Sequence, residues 1–251
     1  MTVLSSRILK GGALLGDSRR LAEVWNRDLP AEENLRTVDE RNLLGKSSRA
    51  RARDVLAVLR ARFVDPGPQV MPTLQALVAD PAAFGDACYY ETARVDGLLA
   101  AFAEGPLYEW FAAGRPVVSV EETAEWITGL VKAQRLPSWS EQVRARAAQG
   151  LLSTLRDFGV LEGAVRKRFA VPGMSRVGFA YVAYREQEQD RSSRALVASP
   201  IWRRWLLDAP RVAELFAQAE SLGVLRYSQV GSAVRIDWRV KTLEEVARAA
   251  A

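Results

Sequence analysis

Across residues 49–63 the apolar side chains return every third or fourth position, so Ala52, Val55, Leu56, Leu59 and Phe63 share one face of a helix. The same period recurs through most of the chain, and that restricts it to a mainly helical fold. Asp17–Arg27 turns Leu21, Val24 and Trp25 inward, and Pro30 suits the first turn of a helix reaching about Asn42. After the turn Leu43–Lys46, Ser47 or Ser48 offers an N-cap for the helix to Phe63, which Asp65-Pro66-Gly67-Pro68 stops. Asp80-Pro81 opens a long helix expected to reach about Glu104, and Pro106–Ala113 makes another.

From residue 119 the pattern changes. Ser119-Val120-Glu121-Glu122 is a capping box opening a helix with Ala124, Ile127 and Val131 inward, broken at Leu136-Pro137-Ser138. Ser138 or Ser140 then caps a helix to about Phe158, ended by Gly159. Two extended runs follow, Val160–Glu162 and Arg166–Val171, joined through Gly163-Ala164. Helix, turn, helix and β-hairpin is the outline of a winged helix. A second version closes the chain. Helices open at Ser199-Pro200 and Pro210, strands Leu225–Gln229 and Ala233–Arg239 turn at Gly231-Ser232, and Thr242 with Glu245 caps a last helix. The polar stretch Glu186–Ser193 reads as a loop.

The expected fold class is therefore mainly α: a multi-helical N-terminal lobe with a helix-turn-helix-like segment, plus a winged-helix-like C-terminal lobe with short β-hairpins. The expected regions are 1–66, 67–118, 119–172 and 173–251. Met1–Lys10 has no apolar core of signal-peptide length, and no run of about 18 uncharged apolar residues could span a membrane. A cytoplasmic protein with no membrane partner is the natural expectation.

The 251 residues include no histidine and a single cysteine, Cys88. Histidine-dependent nucleophile systems, imidazole zinc sites and internal disulfides are therefore excluded. Cys88, within an apolar helix, reads as a small core residue. No pair of carboxylates stands out as a catalytic site, so neither an enzymatic activity nor a cofactor is expected.

The net charge of +5 is unevenly spread. Residues 1–66 hold 13 basic and 9 acidic side chains, and residues 67–131 hold 2 and 9. Residues 132–170 hold 8 and 3, and residues 171–251 hold 12 and 9. Two basic regions thus flank an acidic middle. Arginine suits phosphate and guanine. A genome rich in G and C favours arginine everywhere, so its excess over lysine decides nothing.

The helix from Ser140 is the most informative segment. Gln142, Arg146, Gln149, Ser153 and Arg156 follow one another at steps of four, three, four and three, forming a stripe opposite Val143, Ala147, Leu151, Leu155 and Phe158. These are side chains that read base edges in a major groove, and no carboxylate interrupts them. A solvated face would mix acids with bases at i,i+4 spacing. Arg166, Lys167 and Arg168 stand where a wing would meet the sugar-phosphate backbone. A second candidate patch is the turn and helix with Lys46, Ser47, Arg49, Arg51, Arg53, Arg60 and Arg62. Its arginines divide between two flanks, so some should pair with acidic neighbours such as the helix after Pro81. Gly11–Gly16 lacks the Gly-Lys-Ser/Thr end of a phosphate loop. Trp110 and Trp139 have no evident core position and suit a partner interface.

The N-terminal motifs resemble the BrxA family of BREX (bacteriophage exclusion) islands: Leu4-Ser5-Ser6-Arg7, Gly11-Gly12-Ala13-Leu14-Leu15-Gly16-Asp17-Ser18-Arg19, Val24-Trp25, Asn42-Leu43, Lys46-Ser47-Ser48 and the arginine-rich helix to Phe63. Trp139-Ser140, Phe158-Gly159-Val160-Leu161 and Thr242-Leu243 add to the likeness. The resemblance implies a mainly helical, non-enzymatic DNA-binding accessory protein and supplies no active-site residues. Double-stranded DNA is the expected partner, with other BREX proteins as further ones. A rival expectation is an interaction adaptor whose acidic middle docks a basic partner without DNA contact.

Overall fold

The computed structural model of the chain describes residues 4, 8–189, 191–231 and 233–249. Ser5, Ser6 and Arg7 of the N-terminal motif, Asp190 of the polar stretch and Ser232 of the last turn lie outside the described residues.

Local capping starts most of the helices. α1 (Ile8–Gly11) leads into α2 (Leu15–Val24) and α3 (Ala31–Glu40). The Ser48 hydroxyl accepts the Arg51 N–H at 3.2 Å and opens α4 (Arg49–Leu59), which continues as one π-helical turn, Arg60–Val64. After α5 (Val70–Leu77), the Asp80 carboxylate accepts from the Ala82 and Ala83 N–H groups and opens α6 (Pro81–Val95). The long helix expected from Asp80 to Glu104 is in fact broken. Asp96 leaves helical geometry and accepts the Leu99 N–H at 3.0 Å, which starts α7 (Gly97–Phe102). A further kink at Gly105, before Pro106, separates α7 from α8 (Tyr108–Ala112).

Ser119 and Glu122 form the expected capping box of α9 (Val120–Lys132): the Glu122 N–H donates to the Ser119 hydroxyl at 3.1 Å, and that hydroxyl donates to the Glu122 carboxylate at 3.0 Å. Of the two serines offered, Ser140 caps α10 (Glu141–Asp157), and Gly159 ends it with φ +78°. Next come β1 (Leu161–Glu162) and β2 (Arg168–Phe169), paired antiparallel as Leu161↔Phe169 and Glu162↔Arg168. Val118, just before α9, donates its N–H to the Lys167 carbonyl at 2.9 Å and adds a bridge to this hairpin.

α11 (Arg176–Gln187) reaches into the polar stretch from Glu186 that was expected to be a loop. Glu186 is buried there because its carboxylate accepts the Tyr90 hydroxyl at 2.8 Å, and α12 (Ser193–Val197) begins where a loop was expected to end. The segment opened by Ser199-Pro200 is a 3₁₀-helix, Pro200–Trp205. α13 (Ala209–Glu220) packs on the antiparallel pair β3 (Leu225–Val230) and β4 (Ala233–Trp238), and α14 (Leu243–Arg248) closes the described chain.

The buried apolar residues form one connected core from Ile8 to Ala247. α6 lies at its centre, with Phe84, Ala87, Cys88, Tyr89, Tyr90 and Ala93 all buried, and α11 lies against it. A helix apolar on nearly every side must be surrounded by others. Trp110 and Trp139 are half-buried against this core; Trp110 meets Phe102 edge-on at 5.8 Å. No helix among the described residues is long and apolar enough to cross a membrane.

Candidate nucleic-acid interface

α10 buries Ala147, Leu151 and Leu155 completely, with Val143 and Phe158 half-buried beside them. Burying that face obliges the opposite one to face solvent. Gln142, Arg146, Gln149 and Arg156 are exposed and Ser153 is half-buried, so the structure keeps the predicted stripe together and open. Gln142, Arg146 and Gln149 engage no side-chain hydrogen bond or ion pair among the described residues. Arg156 differs, because its guanidinium is held by Asp157 at 2.6 Å. Asp157 is the carboxylate that the sequence reading overlooked, although adjacency alone, one step of 100° round the helix, could have revealed it.

The hairpin that follows uses its three cations differently. Arg166 is exposed, with no ion pair among the described residues. Lys167 was expected on phosphate but is buried. Its ammonium donates to the Gly163 carbonyl at 2.8 Å and to the Ala164 carbonyl, closing the turn on itself. Burial, with the Arg156 guanidinium nearby, holds that ammonium below the usual lysine range, and Asp157 opposes the shift. The hairpin base sits beside the C-terminal end of α10, with the Val160 N–H donating to the Leu155 carbonyl and the Ala170 N–H to the Val160 carbonyl. Arg168 faces Glu162 across the strand pair at 3.5 Å.

The N-terminal candidate patch is largely neutralised. Lys46 is paired with Asp17 at 2.5 Å, Arg53 with Asp39 at 3.2 Å, and Arg60 with Glu32 at 2.6 Å and Asp65 at 3.2 Å. Asp39 and Glu32 belong to α3, not to the helix after Pro81, because the α3–α4 hairpin sets acids of one helix against arginines of the other. Arg62 is buried and donates to the carbonyls of Gly12 (2.7 Å) and Ala13 (3.1 Å), so the glycine-containing entry is a packing joint. A side chain at Gly11 would come within 3.0 Å of Val58. Ser47 and Arg49 remain exposed. Thus α10 and Arg166 make one open polar surface, and the α4 patch is mostly internal ion pairing. Among the described residues no three His, Cys, Asp or Glu gather as a metal site would require.

A family model described as BrxA matches residues 4–184. Comparison with curated proteins finds no match. Among solved structures, an uncharacterized protein from Magnetospirillum magneticum is similar, with a TM-score of 0.61 at 17% identity over 80% of this chain and 97% of that one. At that identity the likeness is one of fold.

Proposed function

Because this chain belongs to the BrxA family, whose known association is with BREX phage defence, we propose that it is a non-enzymatic, cytoplasmic accessory protein that binds double-stranded DNA. The observation carrying this reading is the α10 stripe: Gln142, Arg146 and Gln149 project to solvent from a helix whose other face is buried, and no carboxylate stands among them. The order α8, Val118 bridge, α9, α10 and hairpin supports a winged-helix reading, in which α10 enters the major groove. Arg146 can then reach guanine, and Gln142 and Gln149 adenine.

The free charge sets the scale of the affinity. Among the described residues Arg146 and Arg166 have no ion pair, while Arg156 and Arg168 sit in exposed pairs that a phosphate can displace at little cost. With two to four phosphates neutralised, log K should fall with log salt at a slope of about −1.8 to −3.6, or roughly 10- to 150-fold between about 50 and 200 mM. Fluorescence anisotropy on a duplex tests this. Binding that is absent at low salt, or flat across the series, overturns the reading. So does an Arg146→Ala/Gln149→Ala variant that remains folded and binds like its parent.

A second reading has its own observation. Glu121 and Glu125 are exposed on α9 with no ion pair among the described residues, an acidic edge suited to a basic protein partner. An adaptor of this kind predicts co-purification with another BREX component that survives nuclease treatment and is lost when Glu121, Glu122 and Glu125 are changed to lysine.

A further inference from the structure

The turn between β1 and β2, residues 163–167, is built from its own backbone and one lysine. Gly163 has φ +90°, and a side chain there would stand 2.2 Å from the Arg166 carbonyl, so only glycine lets the turn close. The Lys167 ammonium then ties the Gly163 and Ala164 carbonyls together from inside. What looks in the sequence like a three-cation run, Arg166-Lys167-Arg168, presents a single unengaged cation outward, Arg166. Beside it Val165 is 93% exposed at the very tip.

These features suit a phosphate ridge poorly. Arg168 already has Glu162 as its partner at 3.5 Å, which leaves Arg166 as the one unengaged cation of the run, and Val165 gains nothing from phosphate. One guanidinium at the end of a two-stranded turn with an aliphatic neighbour suits a minor groove. A·T-rich minor grooves are narrow, and their negative potential attracts arginine. Proteins that enter them also set apolar side chains against the groove interior. Guanidinium loses its hydration more readily than ammonium, so arginine is the cation for that task. The hairpin base packs by the C-terminal end of α10, so with α10 in a major groove the tip would reach toward the neighbouring minor groove.

We propose that the β1–β2 tip is a minor-groove reader, in which Arg166, flanked by Val165, favours A·T pairs beside the α10 contact. This rests on the DNA-binding reading above. The test compares two duplexes with one shared central sequence and either A·T-only or G·C-only flanks, by anisotropy at fixed salt. The parent should bind the A·T-flanked duplex roughly five- to tenfold more tightly, the lower end of what one base-pair contact contributes. Arg166→Ala should bind both alike, and Arg166→Lys should keep the salt slope while losing most of the preference. Arg146→Ala should weaken both duplexes and leave their ratio intact. Equal binding of the two duplexes by the parent, or an unchanged ratio in Arg166→Ala, overturns the groove assignment while the DNA-binding reading stands. Absence of binding to either duplex overturns both.

Discussion

Glu91, at the centre of α6, has no solvent exposure, and its carboxylate holds three donors. Arg185 Nε and the Tyr181 hydroxyl, both from α11, donate to one oxygen at 2.9 Å each, and Arg94 donates to the other at 3.0 Å. Arg185 is itself only 5% exposed. Replacing Glu91 with Gln keeps the shape and removes the charge. It leaves a buried guanidinium with only Glu188, at 2.6 Å, as a charged partner. Removing one member of a buried pair costs about 3–5 kcal/mol. The retained Glu188 contact places this case near the lower figure. Against a total stability of about 5–15 kcal/mol, the urea midpoint should fall by about 1 M for a slope near 3 kcal/mol per M. Arg185→Met alone should cost a similar amount. The double variant should cost much less than the two singles together, because it removes both buried charges and leaves only the exposed Arg94 and Glu188 without those partners. Urea titrations of all four proteins followed by circular dichroism measure the cycle. A midpoint shift below about 0.3 M for Glu91→Gln, or singles that simply add, would refute the argument that this pair clamps the two central helices.

Asp86 offers a pH test. Burial pushes its carboxyl up to about 6 from 3.8, although the Ser175 N–H, the Ser175 hydroxyl and the Trp205 indole all donate to it. The folded form therefore holds a proton that the unfolded chain has released, and the stabilisation is full below pH 3.8 and lost as pH rises through about 6. Relative to Asp86→Asn, the parent should lose up to about 3 kcal/mol between about pH 4 and 7 in chemical denaturation; parallel pH profiles would dispose of the idea. Lys167→Met should lower the melting temperature by a few degrees yet leave the salt slope of DNA binding unchanged, whereas a phosphate-bound lysine would contribute about 0.9 to it. Gly163→Ala should cost more than the roughly 1–2 kcal/mol of a left-handed backbone, because its Cβ would also meet the Arg166 carbonyl at 2.2 Å, and should speed amide exchange in the hairpin, with exchange in α10 unaltered; an unperturbed hairpin would show that the turn does not need glycine.

Several features that depend on residues within one helical turn were legible beforehand. Ser48, Asp80, Ser119 and Ser140 cap helices through hydrogen bonds spanning three residues or fewer, and Gly159 ends α10 for equally local reasons. The α10 stripe was legible too, since helical geometry sends it opposite Leu151 and Leu155. The break at Asp96 escaped notice because an aspartate inside an apolar run marks a new cap only once the chain turns there. The fates of Lys167, Arg53 and Arg60 escaped for a different reason. A basic run looks alike whether its charges face solvent, a carbonyl or an acid on the next helix.

Many of the helix starts, the inward and outward faces of α10, and the lack of histidine chemistry follow from the sequence, because each rests on residue identity or on bonds within a few positions. Which charges stay free is settled by folding alone. Glu32 meets Arg60 from 28 positions away and Glu91 meets Arg185 from 94, and an ion pair depends on distance in space and on exclusion of water. Of a dozen expected contacts, the three-dimensional packing thus leaves open a face on α10, one arginine at a hairpin tip, and the exposed Ser47 and Arg49.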